Sequence, residues 1–254
     1  MPDGKTVSWG DGGEALIRAN IKNAGDFLKD AELLYFGSKG AEGEPPNSTS
    51  SFYPVGKTVL MRTSRLDENA LAAFINARVG GGHSHPDTLH LDIYAYGKRL
   101  LLDPGTGSYN PYFPPGEWQK WTTIAHNTVE IDNTPQSRDQ QVESSIDFIS
   151  STMFDYVKAW HEAYVNFRHE RRVLFIKPSC WIVSDKVKAP DGQHDYKQCW
   201  HPNLDNNVTI DGKTGKAETC FETGANVQII PAEPTELRAE VAEGYMNKIP
   251  ENFV

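Results

Sequence analysis

The 254-residue chain is poor in cysteine, in basic residues and in long apolar runs, and each shortage excludes a class of protein. Its three cysteines, Cys180, Cys199 and Cys220, are widely spaced and odd in number, which gives neither a disulfide framework nor a cysteine zinc motif. No apolar run reaches spanning length, so we expect no membrane span. The chain has 25 basic and 34 acidic residues, a formal net charge of -9, and we expect no nucleic-acid partner.

Neither end of the sequence has terminal character. No signal peptide follows Met1, and residues 1–4 are typical of an internal fragment, so the missing signal says little about a parent protein. The last residues, 249–254, also lack the features of a chain end. We therefore expect a chain that is truncated at its C-terminus.

Helical patterns are confined to the first 48 residues. Residues 14–23 predict a helix that stops near Gly25, and residues 26–36 predict a second helix with Asp26 as its N-cap. The segment that follows has the glycine, proline and serine of a linker. We divide the chain into residues 1–48, a helical segment and linker, and residues 49–254, a β domain.

From residue 52 onward the pattern changes to many short strands. Glycine, proline, asparagine and aspartate separate them at short intervals, and no internal repeat or low-complexity block interrupts the series. This pattern predicts a mainly β fold, a large antiparallel β-sandwich preceded by the two short helices. Two helices of that size cannot form a core alone, so we expect them to pack on the sandwich or to end a larger helical domain.

Residues 80–132 contain the most informative pattern of histidines and carboxylates in the chain. A glycine triplet precedes His83 and His85, and alternation from residue 89 to 96 predicts a strand with one face toward a core. Gly97-Lys98 is predicted to turn the chain into a return strand. In an extended segment the two histidines would share one face.

Two imidazoles and a carboxylate on rigid strands are a common zinc ligand set. The return strand ends at Asp103, and because a hairpin runs back to its origin it can bring Asp103 to His85. His126 opens a later strand and needs only a neighbouring position to join them. The alternative, that the histidines after the glycines are ordinary surface residues, stays open on the residues alone.

The same stretch resembles the signature of the heparinase II/III-like polysaccharide lyases, the group that also includes oligoalginate lyases. That signature is similar to G-x-H-x-H-x-D, an alternating strand, G-x-x-L-L-x-D-x-G-x-x-x-Y and then A-H-N-T-V-x-x-D. Several independent blocks match in order between residue 52 and about residue 188. The matching positions are Gly81, His83, His85, Asp87, Gly97, Leu101, Leu102, Asp103, Gly105, Tyr109, Ala125, His126, Asn127, Thr128, Val129 and Asp132.

The resemblance implies a polysaccharide lyase that cleaves a uronic-acid-containing polysaccharide, such as a glycosaminoglycan or alginate, by β-elimination. A base removes the C5 proton of the uronate, and the leaving oxygen at C4 receives a proton. It further implies that the principal catalytic Tyr, Asn and His lie in a preceding α/α toroid domain that is missing here, with the anionic substrate between toroid and sandwich. A parent protein of this kind is expected to be periplasmic or secreted by a bacterium, and the isolated fragment need not be active.

Within this chain, the resemblance implies one structural zinc ion held by His85, Asp103 and His126. It places the catalytic His83 near the substrate carboxylate, together with a tyrosine from the loop after residue 105. The candidates for that tyrosine, each of which could instead be a packing residue, are Tyr109 and Tyr112.

Three more residues are predicted to contact the substrate: Trp118, Asn127 and Arg171. Each has a structural alternative. Trp118 could simply cover its loop, Asn127 could bond the backbone beside His126, and Arg171 could lie on a solvated strand face.

Two other functions compete with a lyase. His83 and His85 after glycines on a β scaffold also fit a cupin-type metalloenzyme, but that pattern requires a glutamate a few residues later, where Thr88, Leu89 and His90 stand. The chain could also be a non-catalytic carbohydrate-binding or structural module.

Overall fold

In the computed structural model of the protein, the described residues are 1–13, 15–105, 120–203, 208–233 and 237–242. The helices are α1 (Arg18–Leu28), α2 (Ala31–Gly37) and a 3-10 helix (Thr123–Ala125). The strands are β1 (Ser51–Tyr53), β2 (Thr58–Arg62), β3 (Ala72–Asn76), β4 (Leu91–Ala95), β5 (Lys98–Leu101), β6 (Val129–Ile131), β7 (Ser144–Ser150), β8 (Phe154–Tyr164), β9 (Phe167–Ile176), β10 (Cys180–Lys188), β11 (Tyr196–Gln198), β12 (Val208–Ile210), β13 (Ala217–Thr219) and β14 (Gln228–Ile229). The predicted mainly β, antiparallel fold with two preceding helices is confirmed.

Two antiparallel sheets form the body of the molecule. The first has five strands in the order β1-β2-β3-β4-β5, and the second has four in the order β10-β9-β8-β7. A two-stranded sheet pairs β11 with β6, and a three-stranded sheet has the order β12-β13-β14. Neighbours in the two large sheets are consecutive in sequence, so no crossover is needed, although residues 77–90 form a long loop between β3 and β4.

The main core lies between the two large sheets. Alternate residues of β2, β3 and β4 supply one side of it, and alternate residues of β7, β8 and β9 supply the other. Val157, Val173 and Phe175 are completely buried there, and Trp181 of β10 stacks on Phe175 with ring centroids 4.9 Å apart. The core is therefore built by the period-two pattern from which strands were predicted.

The second face of the five-stranded sheet is also buried, which differs from the sequence prediction of a one-sided strand. Phe74 and Tyr94 on that face pack with Met1, Val7 and Trp9 of the N-terminal segment. The Trp9 and Phe74 rings lie 6.3 Å apart. The N-terminal segment thus covers the sheet, and every residue of β4 is buried as a result.

The two helices begin and end later than predicted. α1 continues through Gly25 to Leu28, because Gly25 is a contact point: a Cβ there would lie 2.8 Å from the Leu34 backbone nitrogen of α2. The N-cap of α2 is Asp30, whose side chain accepts a hydrogen bond from the Leu33 N–H (2.9 Å), and Asp26 lies inside α1. Across the described part of the chain, no helix has the length and apolar character needed to cross a membrane.

Candidate metal centre

Three loops meet at one end of the five-stranded sheet, and each brings one predicted metal ligand. β4 and β5 form the predicted hairpin, with its turn at Tyr96 and Gly97, one residue earlier than predicted. Both turn residues have positive φ (50° and 81°). The return strand leads to Asp103, beside the loop that carries His85. The 3-10 helix ends at His126, which therefore points into the same corner before β6 begins.

The three residues form one buried cluster. One potential ligand atom from each of His85, Asp103 and His126 lies within 4.8 Å of the others. The His126 Nδ1 atom is 2.8 Å from Asp103 Oδ2, and the rings of His85 and His126 are 5.4 Å apart. Burial alone would raise the pKa of Asp103, but the imidazoles of His126 and His90 hold it well below its ordinary value. A buried carboxylate kept anionic between imidazoles is suited to a cation.

A second layer of hydrogen bonds fixes Asp103. Its backbone N–H donates to Asp92 Oδ1 (3.0 Å), and its own Oδ1 accepts from the Gly105 N–H (2.7 Å). His90 accepts from the Asn127 N–H at Nδ1 (2.9 Å), so its Nε2 carries the proton shared with Asp92 Oδ1 (3.3 Å). These contacts hold the carboxylate in place before any ion binds.

Asp87 is a second buried carboxyl group close to the cluster. Burial raises its pKa to about 6, although the positive charge of His126 acts in the opposite direction. Its Oδ2 atom is buried and has no hydrogen-bond partner among the described residues.

His83 lies beside the cluster at the surface. Its segment is a turn, not a strand, so His83 and His85 do not share a strand face as predicted. The His83 side chain is 80% exposed whereas that of His85 is 1% exposed. Both rings nevertheless contact one residue, Asp11: His83 Nδ1 is 2.8 Å from its Oδ2, and His85 Nε2 is 3.1 Å from its Oδ1.

Asp11 was not among the residues predicted from the sequence. It lies 72 residues before His83. The available signal was a single acidic residue among Gly10, Gly12 and Gly13. Glycines of this kind allow close approach of backbones, as Gly10 shows: a Cβ there would lie 2.4 Å from the His83 carbonyl oxygen.

Asn127 does not have the predicted substrate-binding position. Its side chain is completely buried and donates to the carbonyl oxygens of Leu91 (3.0 Å) and Leu102 (3.3 Å). Its Oδ1 accepts from the His201 N–H (2.5 Å). Asn127 thereby ties the hairpin to the strand of His126, which is the backbone-bonding alternative stated above.

Arg171 is likewise buried, and its predicted contact with substrate is corrected. Its guanidinium group binds Asp185 through two hydrogen bonds of 2.8 and 2.9 Å. Its Nη1 atom donates to the carbonyl oxygens of Leu89 (2.8 Å) and Asn127 (2.6 Å). Arg171 thus connects the four-stranded sheet to the loops of the metal centre, a role that requires it to be out of solvent.

A histidine pair extends this connection inside the four-stranded sheet. The Ala163 N–H donates to His161 Nδ1 (3.0 Å), so His161 Nε2 carries the proton and donates to His169 Nδ1 (3.2 Å). His169 Nε2 then donates to Asp185 Oδ1 (2.8 Å). Burial lowers the pKa of His161 well below its ordinary value and also lowers the pKa of His169. Both rings are therefore neutral in the folded protein.

This pair predicts a loss of stability in mild acid. An unfolded histidine has a pKa of about 6.5, so below that pH the unfolded chain binds protons that the folded chain does not. The free energy of unfolding should fall as pH drops from about 6.5 to 5, by up to about 1.4 kcal/mol per pH unit for each such histidine. Urea unfolding across this range should show a shallower slope in His161→Gln. An equal slope in both proteins would contradict the assignment.

Three predicted site residues, Tyr109, Tyr112 and Trp118, lie outside the described residues. The remaining set is chemically consistent with zinc: two imidazole nitrogens and one carboxylate oxygen, buried and clustered, match zinc sites that have three protein ligands and one open position. The same set can hold other divalent transition metals, since imidazole and carboxylate ligands suit several of them.

The chain is therefore an antiparallel β-sandwich domain with a buried His-Asp-His cluster at one sheet end that could hold a metal ion. The family model described as Heparinase II/III-like, C-terminal, matches residues 45–243. The chain belongs to this family.

Relatives of known structure or activity agree with this fold. A heparin-sulfate lyase of Pedobacter heparinus is 24% identical over 224 residues, which is 84% of this chain and 33% of that protein. The crystal structure of a heparan sulfate lyase from Pedobacter heparinus has a TM-score of 0.82 at 21% identity, covering 92% of this chain and 37% of that one. A heparinase III structure gives 0.81 at 21% identity, covering 90% and 36%. The chain thus spans about a third of the length of these relatives.

Proposed function

We propose that this chain is part of a polysaccharide lyase that cleaves uronic-acid-containing polysaccharide by β-elimination, and that it supplies the metal-bearing wall of the substrate cleft. The observation that carries the proposal is the exposed His83 beside the buried cluster of His85, Asp103 and His126. The names of the relatives favour a heparan-sulfate-type glycosaminoglycan over alginate as the substrate. The family also leaves the cupin alternative without support.

The metal has a structural role in this proposal. Zinc held by His85, Asp103 and His126 would join the three loops that carry these side chains. Those loops carry His83 on one side and lead into residues 106–119 on the other. The ion would therefore fix the shape of the cleft wall, and it would take no part in attacking the substrate.

His83 provides the chemistry of this wall. Its Nδ1 atom contacts Asp11, so its Nε2 atom is the one that faces outward. Abstraction of the C5 proton requires the neighbouring uronate carboxylate to be neutralised by hydrogen-bond donors. We propose that the protonated His83 ring donates Nε2–H to that carboxylate, with Asp11 balancing its charge. On the family resemblance, Tyr109 or Tyr112 transfers a proton and Trp118 contacts the sugar.

The rest of the active site is proposed to lie outside this chain. We infer that residues 1–48 end an α/α toroid domain, that residues 49–254 are the β domain, and that the toroid supplies the opposite side of the cleft with the principal Tyr, Asn and His. The relatives are about three times as long as this chain, which leaves room for such a domain. For a bacterial enzyme that degrades an extracellular polymer, we propose a periplasmic or secreted location.

The proposal is tested by assaying the full-length protein with heparan sulfate and following the ultraviolet absorbance of the unsaturated uronate product. His83→Ala should lower kcat by at least about 100-fold, which is the lower end of the rate effect of a group that takes part in proton transfer. The variant should retain its zinc. His194→Ala is the matched control, because His194 also contacts one aspartate, Asp132 (2.8 Å), elsewhere on the molecule. Binding of the polymer by the wild-type protein without product would instead support the non-catalytic carbohydrate-binding module.

A further inference from the structure

We propose that Asp11 is a positioning residue that fixes both histidines of the site: it selects the ring nitrogen that His85 offers to the metal and the one that His83 presents outward. The part concerning His83 rests on the function proposed above. The part concerning His85 rests on the metal cluster alone. One carboxylate would thereby couple the metal centre to the substrate-facing residue.

The two oxygens of Asp11 are used separately. Oδ2 contacts His83 Nδ1 at 2.8 Å and Oδ1 contacts His85 Nε2 at 3.1 Å. The Asp11 side chain is only 13% exposed, although one of its partners, His83, is 80% exposed. A carboxylate that reaches from a buried ring to an exposed one in this way restricts the orientation of both rings.

The backbone around Asp11 is held against the histidine segment. The Asp11 N–H donates to the His83 carbonyl oxygen (2.9 Å), and the Gly12 N–H donates to the Trp9 carbonyl oxygen (2.9 Å). Gly10 has a φ of 55° and permits the close approach to His83 that any Cβ would prevent. Trp9 packs on Phe74, which anchors this loop to the five-stranded sheet. The position of Asp11 is therefore built into the fold.

These contacts determine which ring nitrogen of each histidine carries the proton. A metal-binding histidine commonly donates its other ring N–H to a carboxylate, which fixes the tautomer and raises the basicity of the ligand nitrogen. Because His85 Nε2 contacts Asp11, we assign Nδ1 of His85 to the metal. In the same way the contact of Asp11 with His83 Nδ1 leaves Nε2 of His83 pointing outward.

The test measures nitrogen states in the 254-residue chain labelled with ¹⁵N-histidine and loaded with zinc, at a pH of about 8, where exposed imidazoles are neutral. Long-range ¹H–¹⁵N spectra should show His85 bound to zinc through Nδ1 with a proton on Nε2, and His83 enriched in the Nδ1–H tautomer. Coordination of zinc by Nε2 of His85 would overturn the proposal. This measurement is made on the wild-type chain.

Substitution supplies the second part of the test. Asp11→Asn keeps the size of the side chain but can no longer accept from both rings, so zinc affinity measured by chelator competition should fall about 10–100-fold, as for other outer partners of metal ligands. The His83 tautomer should shift away from Nδ1–H. Asp132→Asn, which breaks the contact with His194, should change neither. Unchanged zinc affinity and an unchanged His83 tautomer in Asp11→Asn would overturn the proposal. Because no readout is lyase activity, failure of the proposed function would be recognised separately.

Discussion

Replacing His126 with alanine is expected to remove stoichiometric zinc from the purified chain. His126 is completely buried, and its Nδ1 lies 2.8 Å from Asp103, so its imidazole is an integral part of the cluster. The variant loses one of three protein ligands. Loss of a residue that only hydrogen-bonds to a metal ligand lowers metal affinity about 10–100-fold. The zinc affinity of His126→Ala should fall by more than this.

The matched control for this experiment is His83→Ala. His83 is exposed and outside the cluster, so its removal should leave one zinc per chain. Metal analysis after dialysis measures both variants together with the wild type. Retention of one zinc by His126→Ala, or equal loss from both variants, would show that the ion is bound elsewhere.

Replacing Arg171 with leucine is expected to destabilise the protein by about 3–5 kcal/mol. The substitution leaves Asp185, whose side chain is only 11% exposed, without its cationic partner and leaves two carbonyl oxygens without their donor. Removing one partner of a largely buried ion pair has this cost. Asp185 has a pKa held far below its ordinary value: burial acts against this, and the charge of Arg171 together with the hydrogen bonds from His169 and Arg171 outweighs burial. Urea unfolding measures the change.

Arg172→Leu is the control on the next residue of the same strand. Arg172 points to the opposite face of the sheet, where it is exposed and pairs with Glu170, so its loss should change stability by no more than about 1 kcal/mol. If Arg171→Leu kept wild-type stability and weakened polysaccharide binding instead, the original substrate-binding prediction would be restored and the structural account of Arg171 would fail.

The sequence was sufficient to predict the features that depend on local pattern. Period-two alternation and turn residues identified the strands from residue 52 onward, and the hairpin rule brought Asp103 back toward His85. The clustering of these two with His126 was predicted in the same way, because each stands next to a strand end. The family signature added the order of the blocks and the expected ion.

What the sequence could not supply depends on contacts between distant segments. The second face of β4 is buried by residues around Met1 and Trp9, and nothing within the strand itself shows that cover. Asp11 approaches His83 across 72 residues through the fold alone. Arg171 alternates with exposed neighbours, as any strand residue does. Its charge can be buried because Asp185, its partner on the next strand, pairs with it. The sequence predicted a helix end near Gly25, because a glycine that packs against a second helix cannot be distinguished by local sequence from one that ends a helix.

The most direct test of the central claim is X-ray absorption spectroscopy of the zinc-loaded chain, combined with anomalous scattering from its crystals. The account predicts one zinc atom with two imidazole nitrogens and one carboxylate oxygen at about 2.0–2.2 Å, from His85, His126 and Asp103. A zinc atom with sulfur ligands at about 2.3 Å, or an anomalous peak away from these three residues, would contradict it.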